Sequence, residues 1–153
     1  HVVTRRQRQM CIRDSPQIVA PGGLTVVDAK TWSQPPKDFE GREFRPHNRL
    51  ITCAALSASE RKKAASIIGE KLMKSKGPTA FIMTHGGFDD WDREGEWAFD
   101  QNAINSFHEE MKNILKEPVK YYEIKQNINE PEFTNLALQI FDEWLDEGLI
   151  KIN

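Results

Sequence analysis

The strongest constraint on this chain is a series of short apolar runs, each separated from the next by a stretch with helical periodicity. Thr79–Thr84 (TAFIMT) has no charged residue and no alternation. A run that short and that uniformly apolar reads as a strand covered on both faces. Leu50–Ala55 and Gln17–Ala20 read the same way, and Val119–Lys125 adds the β-favouring pair Tyr121 and Tyr122. Between the runs lie amphipathic segments. Ser57 and Glu60 make an S-x-x-E capping box, and the helix behind it carries Ala64, Ile68 and Leu72 on one face before Gly77-Pro78 stops it. A second helix starts near Asp100 and carries Ile104, Phe107, Met111 and Ile114. A third is capped by Asn129, with Pro131 early and Glu132 at the reciprocal position. Its stripe is Phe133, Leu136, Ala137, Ile140, Phe141, Trp144 and Leu145, and Gly148 ends it. Leu149–Ile152 reads as a final strand or a tail. Strands alternating with helices predict an α/β, Rossmann-like three-layer domain with a mostly parallel sheet.

Two stretches resist this pattern. Leu24–Pro46 holds Pro35-Pro36, Gly41 and Pro46 among mixed charges and reads as a long loop with at most a short helix. The opening HVVTRRQRQMCIRDS has no apolar period. Its four arginines against one aspartate give +3, which leaves −5 for the rest of a chain whose net charge is −2. RRQRQMCIRDS looks like a translated sequencing adapter from an environmental assembly. Residues 1–15 are therefore expected to be non-native and disordered, with the domain occupying 16–153 and a natural N-terminal part missing.

Composition removes several function classes. The charge is mixed in sign, with no basic stripe for a nucleic-acid partner. No apolar stretch is long enough to span a membrane. Cys11 and Cys53 have no metal-ligand spacing, and a reducing, cytoplasmic setting is the expectation. Homo-oligomerisation is left open.

In an open parallel sheet, ligands bind outside the carboxyl ends of the strands. Gly22 and Gly23 stand at one such end, and THGGFDDWDREG, from Thr84 to Gly95, at another. In the latter, Gly86 and Gly87 would let the backbone approach a ligand, His85 offers an acid/base or a ligand, and Asp89, Asp90 and Asp92 offer carboxylates for a hard cation. No paired His or Cys spacing supports a transition-metal site, so a metal is not expected. Arg45, His47 and Asn48 precede the Leu50 strand and could either hold an anion or fix the long loop. His108 falls on the polar side of its helix and reads as solvated. Cys53 is mid-strand and reads as inert. No G-x-G-x-x-G, phosphate loop or G-x-S-x-G elbow is present.

At these residues the chain resembles a known family. APGGLTVVD, FRPHNRLIT, GGFDDWDREGEWAFDQNAINSF and NINEPEF, in that order over about Pro16–Leu145, resemble the C-terminal subdomain of the ATP-binding family typified by the tobamovirus-resistance protein of tomato. The resemblance implies two Rossmann-like lobes, with ATP bound chiefly by the N-terminal one. This chain would then be half of a two-lobed nucleotide- or phosphometabolite-binding protein, with Gly22, Gly23, His47, Asn48, His85, Gly86, Gly87, Asp89 and Asn127 lining the cleft. Asp28-Ala29-Lys30-Thr31 and Ala54-Ala55 depart from the family pattern at two cleft positions. The alternatives are a hydrolase or lyase using His85 and the Asp89–Asp92 loop, and a non-enzymatic interaction domain docking through the Phe133–Leu145 stripe.

Overall fold

The computed structural model describes residues 14–35 and 37–150. The non-native reading of the N-terminal segment falls almost wholly on positions 1–13, outside the described residues, as do residues 151–153 of the tail. Leu149 and Ile150 form no strand.

Three strands form a parallel sheet: β1 (Gln17–Val19), β5 (Thr79–Thr84) and β6 (Lys120–Ile124), in the order β1-β5-β6. The apolar run TAFIMT is the central strand, and every one of its residues is buried. Its side chains divide by parity, as a strand requires. Phe81 and Met83 enter one core with Ala65, Leu72, Ile104, Phe107 and Met111, which belong to helices α1 (Ala58–Leu72) and α2 (Gln101–Ile114). Ala80 and Ile82 enter the other with Ile140 and Trp144 of α3 (Pro131–Asp146). Helices thus cover both faces, the three-layer α/β arrangement expected. Gly69 permits the close approach of α1 to α2, because a Cβ there would stand 2.8 Å from Ile114 Cγ2.

The Leu50 run does not join this sheet. As β4 (Ile51–Ala55) it pairs antiparallel with β2 (Val26–Lys30) and with β3 (Arg45–Pro46). The segment read as a loop therefore supplies two strands of a second, antiparallel sheet, along with a 3-10 turn at Lys37–Phe39. The Val26-Val27 pair is the apolar signal that the surrounding prolines and Gly41 obscured.

The capping box at Ser57 and Glu60 forms as expected, with both reciprocal bonds made. Arg42 adds a two-pronged ion pair to Glu60, at 2.8 Å on each oxygen, and so ties the Lys37–Pro46 segment to the start of α1. These contacts hold the Glu60 carboxyl at about 2, first through the Arg42 hydrogen bonds. The third helix differs from expectation. Glu130, not Asn129, occupies the cap position and makes no side-chain cap bond, while Pro131 stands at the helix start.

Candidate functional site

Beyond β5 and β6 the chain builds a rim, and most of the polar residues singled out from sequence hold that rim together. Asn127 is 2% exposed. Its Nδ2 donates to the carbonyls of Gly86 (3.1 Å) and Asp89 (2.9 Å), and its Oδ1 accepts from the Asn129 N–H (3.0 Å). The amide nitrogen joins the two loops, and the amide oxygen closes the turn of Asn127's own loop. Gly86 and Gly87 serve the same junction. A Cβ on Gly86 would lie 2.6 Å from the Asn127 nitrogen; one on Gly87, where φ is +114°, would lie 1.7 Å from the Asp92 carbonyl oxygen. Their small size lets backbone meet backbone within the protein. Gly22 sits against the same junction, its would-be Cβ 3.3 Å from Ile128, and Gly23 turns the chain at φ +74°. Asn48 is likewise internal to its own turn, accepting from the N–H groups of Leu50 (2.8 Å) and Ile51 (3.0 Å).

The three aspartates of the loop part ways. Asp92 is fully buried and faces Arg61, also fully buried, with bonds of 2.7 and 3.2 Å. Its Oδ2 also accepts from the Phe88 N–H at 3.1 Å. Arg61 reaches the Ala98 carbonyl and lies over the Phe88 ring. Burial pushes the Asp92 carboxyl up, and the guanidinium opposes it. Asp92 is therefore a structural anchor, which removes it from the three carboxylates that the sequence offers for a hard cation or for acid/base chemistry. Arg61 escaped sequence reading because it looks like any charged residue in a capped helix.

Asp89 and Asp90 remain at the surface of a cleft of about 410 Å³, lined also by Val26, Asp28, His47, Cys53, Trp91 and Asn129. One wall is the antiparallel sheet, and the other is the loop after β5. Asp89 Oδ1 accepts from the N–H groups of Trp91 (2.9 Å) and Asp92 (3.1 Å). Asp90 lies below the ordinary carboxylate value through hydrogen bonds from Asn129 and then Arg93. Cys53 donates to Asp28 Oδ1 at 3.0 Å, and burial, with that hydrogen bond, pushes its thiol up to about 12, as expected of an inert strand cysteine. His47 is brought here by the hairpin between β3 and β4 and meets Trp91 edge-on, with centroids 5.0 Å apart. Trp97 and the Arg45 guanidinium extend this aromatic edge.

His85 is not among the residues lining the cleft. It turns to Glu123 (3.0 Å) and His108 (ring centroids 4.7 Å). His108, expected to be solvated, is partly buried, and its Nδ1 bonds the Tyr121 hydroxyl at 2.9 Å. Burial lowers the His108 imidazole below its ordinary value. Burial pushes Glu123 upward, but hydrogen bonds from Lys112 and His85 outweigh it. The hydrolase or lyase constellation of His85 with Asp89–Asp92 is therefore not assembled.

The fold and cleft define a Rossmann-like α/β domain with an acidic, aromatic-edged crevice beyond the carboxyl ends of its parallel strands. The family model described as the uncharacterised protein family (UPF0261) C-terminal domain matches residues 3–145. The chain belongs to that family and carries this domain. It is 37% identical over 135 residues to a UPF0261 protein of Brucella melitensis, covering 88% of this chain and 32% of that protein. With a UPF0261 protein of Clostridium tetani it shares 31% identity over 119 residues, covering 77% and 30%. With the ToMV resistance protein Tm-1(GCR237) of Solanum lycopersicum it shares 25% over 130 residues, covering 84% and 17%. The chain thus spans about a third or less of the length of these curated relatives. No helix among the described residues is long and apolar enough to cross a membrane.

Proposed function

We propose that this domain is one wall of a ligand cleft in a two-lobed nucleotide- or phosphometabolite-binding protein, and that this wall receives the sugar-and-base end of the ligand. The carrying observation is the chemistry of the lining. Asp28, Asp89 and Asp90 converge with Trp91 and His47, and no lysine or arginine is among the described residues that line the cleft; Arg93 reaches its edge only as the partner of Asp90. Carboxylates accept hydrogen bonds from ribose hydroxyls, and an aromatic edge suits a planar base. Phosphate oxygens would be repelled here and belong on the facing lobe. ATP is the first candidate ligand, on the family resemblance.

Titration of the chain with adenosine, ATP and inorganic pyrophosphate, followed by tryptophan fluorescence, tests this reading. Adenosine and ATP are expected to give saturable changes that Trp91→Leu removes, with pyrophosphate silent. Binding of pyrophosphate without adenosine, or no saturable response to any of the three, refutes it.

A further inference from the structure

A second constellation stands outside the cleft. His85 follows β5, Glu123 lies in β6, and His108 lies on α2. The β5/β6 register sets Thr84 beside Ile124 and Met83 beside Glu123, so His85 and Glu123 project from adjacent strand ends. Parity along β6 turns Tyr121 and Glu123 to one face and Tyr122 and Ile124 to the core under α3. His108 meets Tyr121 and Glu123 on the former face. The turn after β5, strand β6 and helix α2 thereby converge on one point.

We propose that His85, His108 and Glu123 form a binding site for a divalent transition metal ion of the zinc class. Glu123 Oε2 lies 3.0 Å from His85 Nε2 and 3.7 Å from His108 Nε2, and the three donor atoms fall within 4.8 Å of one another. Tetrahedral coordination with bonds of about 2.0–2.2 Å separates neighbouring ligand atoms by roughly 3.3 Å, between those two distances. The donor set, two imidazoles and one carboxylate, is one that zinc takes when a coordination position stays open. The surroundings orient the ligands. The Tyr121 hydroxyl holds His108 by Nδ1 at 2.9 Å, leaving Nε2 toward the shared point, and Lys112 occupies Glu123 Oε1 at 2.9 Å, leaving Oε2. A partner on the far nitrogen of a metal-binding imidazole fixes its tautomer and ring orientation. All three side chains keep some solvent access, with 28%, 18% and 37% exposure, so an ion can enter.

The test is a zinc titration of metal-stripped protein by calorimetry, with cobalt as a spectroscopic substitute. One equivalent of zinc is expected to bind, and cobalt to show the intense visible bands of a four-coordinate site. Tyr121→Phe should weaken binding roughly tenfold, and H85A, H108A and E123Q should each weaken it further. His47→Ala, which alters the exposed imidazole of the cleft, should leave it unchanged. Circular dichroism of each variant separates loss of the site from loss of the fold, and H85A and E123Q, at the more exposed of the three positions, keep the test available if H108A unfolds. The absence of saturable zinc binding, binding that survives H85A and E123Q, or binding that His47→Ala removes would each overturn the proposal.

Discussion

Replacing Asp92 by asparagine would expose what the buried ion pair contributes. Neither side chain of the pair has any solvent exposure, so no water can replace a lost partner. Asp92 Oδ2 accepts from both Arg61 Nη1 and the Phe88 N–H, and Oδ1 accepts from Arg61 Nη2. Whichever way an asparagine amide turns, its NH2 confronts a donor. The cheaper orientation keeps the oxygen at the Oδ2 position and sets NH2 against Arg61 Nη2. The guanidinium charge is then buried without a counter-charge, which costs about 3–5 kcal/mol. For a chain of this length that corresponds to a melting temperature lower by about 6–20 °C. Urea denaturation followed by circular dichroism would measure it. The double variant Arg61→Met/Asp92→Leu should recover most of the loss, because it removes both charges and also the Arg61 Nε that finds no hydrogen-bond partner among the described residues. A cost below about 1 kcal/mol for Asp92→Asn, or a double variant as unstable as the two single changes added together, would refute the reasoning.

Two further outcomes follow from the same geometry. Glu60 is depressed from 4.5 to about 2, first by Arg42, so its contribution is complete above its unfolded value and is lost as pH falls from about 4.5 toward 2. After allowance for its partial exposure this amounts to about 1 kcal/mol, and the melting temperature of Glu60→Gln should fall less steeply than wild type across that window. Asn127→Ala strips three internal hydrogen bonds and should lower stability by about 2–3 kcal/mol in chemical denaturation, even without ligand; an unchanged midpoint would contradict the rim described above.

The parts of the fold visible in sequence are those written locally. The run TAFIMT became the central strand, the Ser57–Glu60 box formed, and Ile104, Phe107 and Met111 face the core. A short apolar run declares a strand but not its partner, so Ile51–Ala55 reads as a member of the parallel sheet although it pairs antiparallel with β2 and β3. Val26–Lys30 reads as loop because the prolines and glycine beside it outweigh two valines. At the candidate site, glycine and asparagine at strand ends are the residues a ligand would need and also the residues two loops need to interlock. Only burial separates the two uses, and burial depends on chain far away in sequence. Asp92 and Arg61 lie thirty-one positions apart, and nothing in the local pattern of either announces the other. His108 reads as solvated on its helix alone, since Tyr121 and Glu123 arrive from a different element.

The alternation along β6 has a consequence for how the chain avoids misassembly. Lys120–Ile124 pairs with Ala80–Thr84 in a single register, with Tyr121 and Glu123 on one face and Tyr122 and Ile124 on the other. A slip of one residue would exchange the faces. Glu123 would be driven into the apolar layer beneath α3, where a carboxylate has neither Lys112 nor an imidazole to meet, and Ile124 would be drawn out of that layer. The penalty for burying that charge makes the misaligned strand pair self-rejecting. One acidic residue in an outer strand thus acts as an error check on the assembly of the parallel sheet.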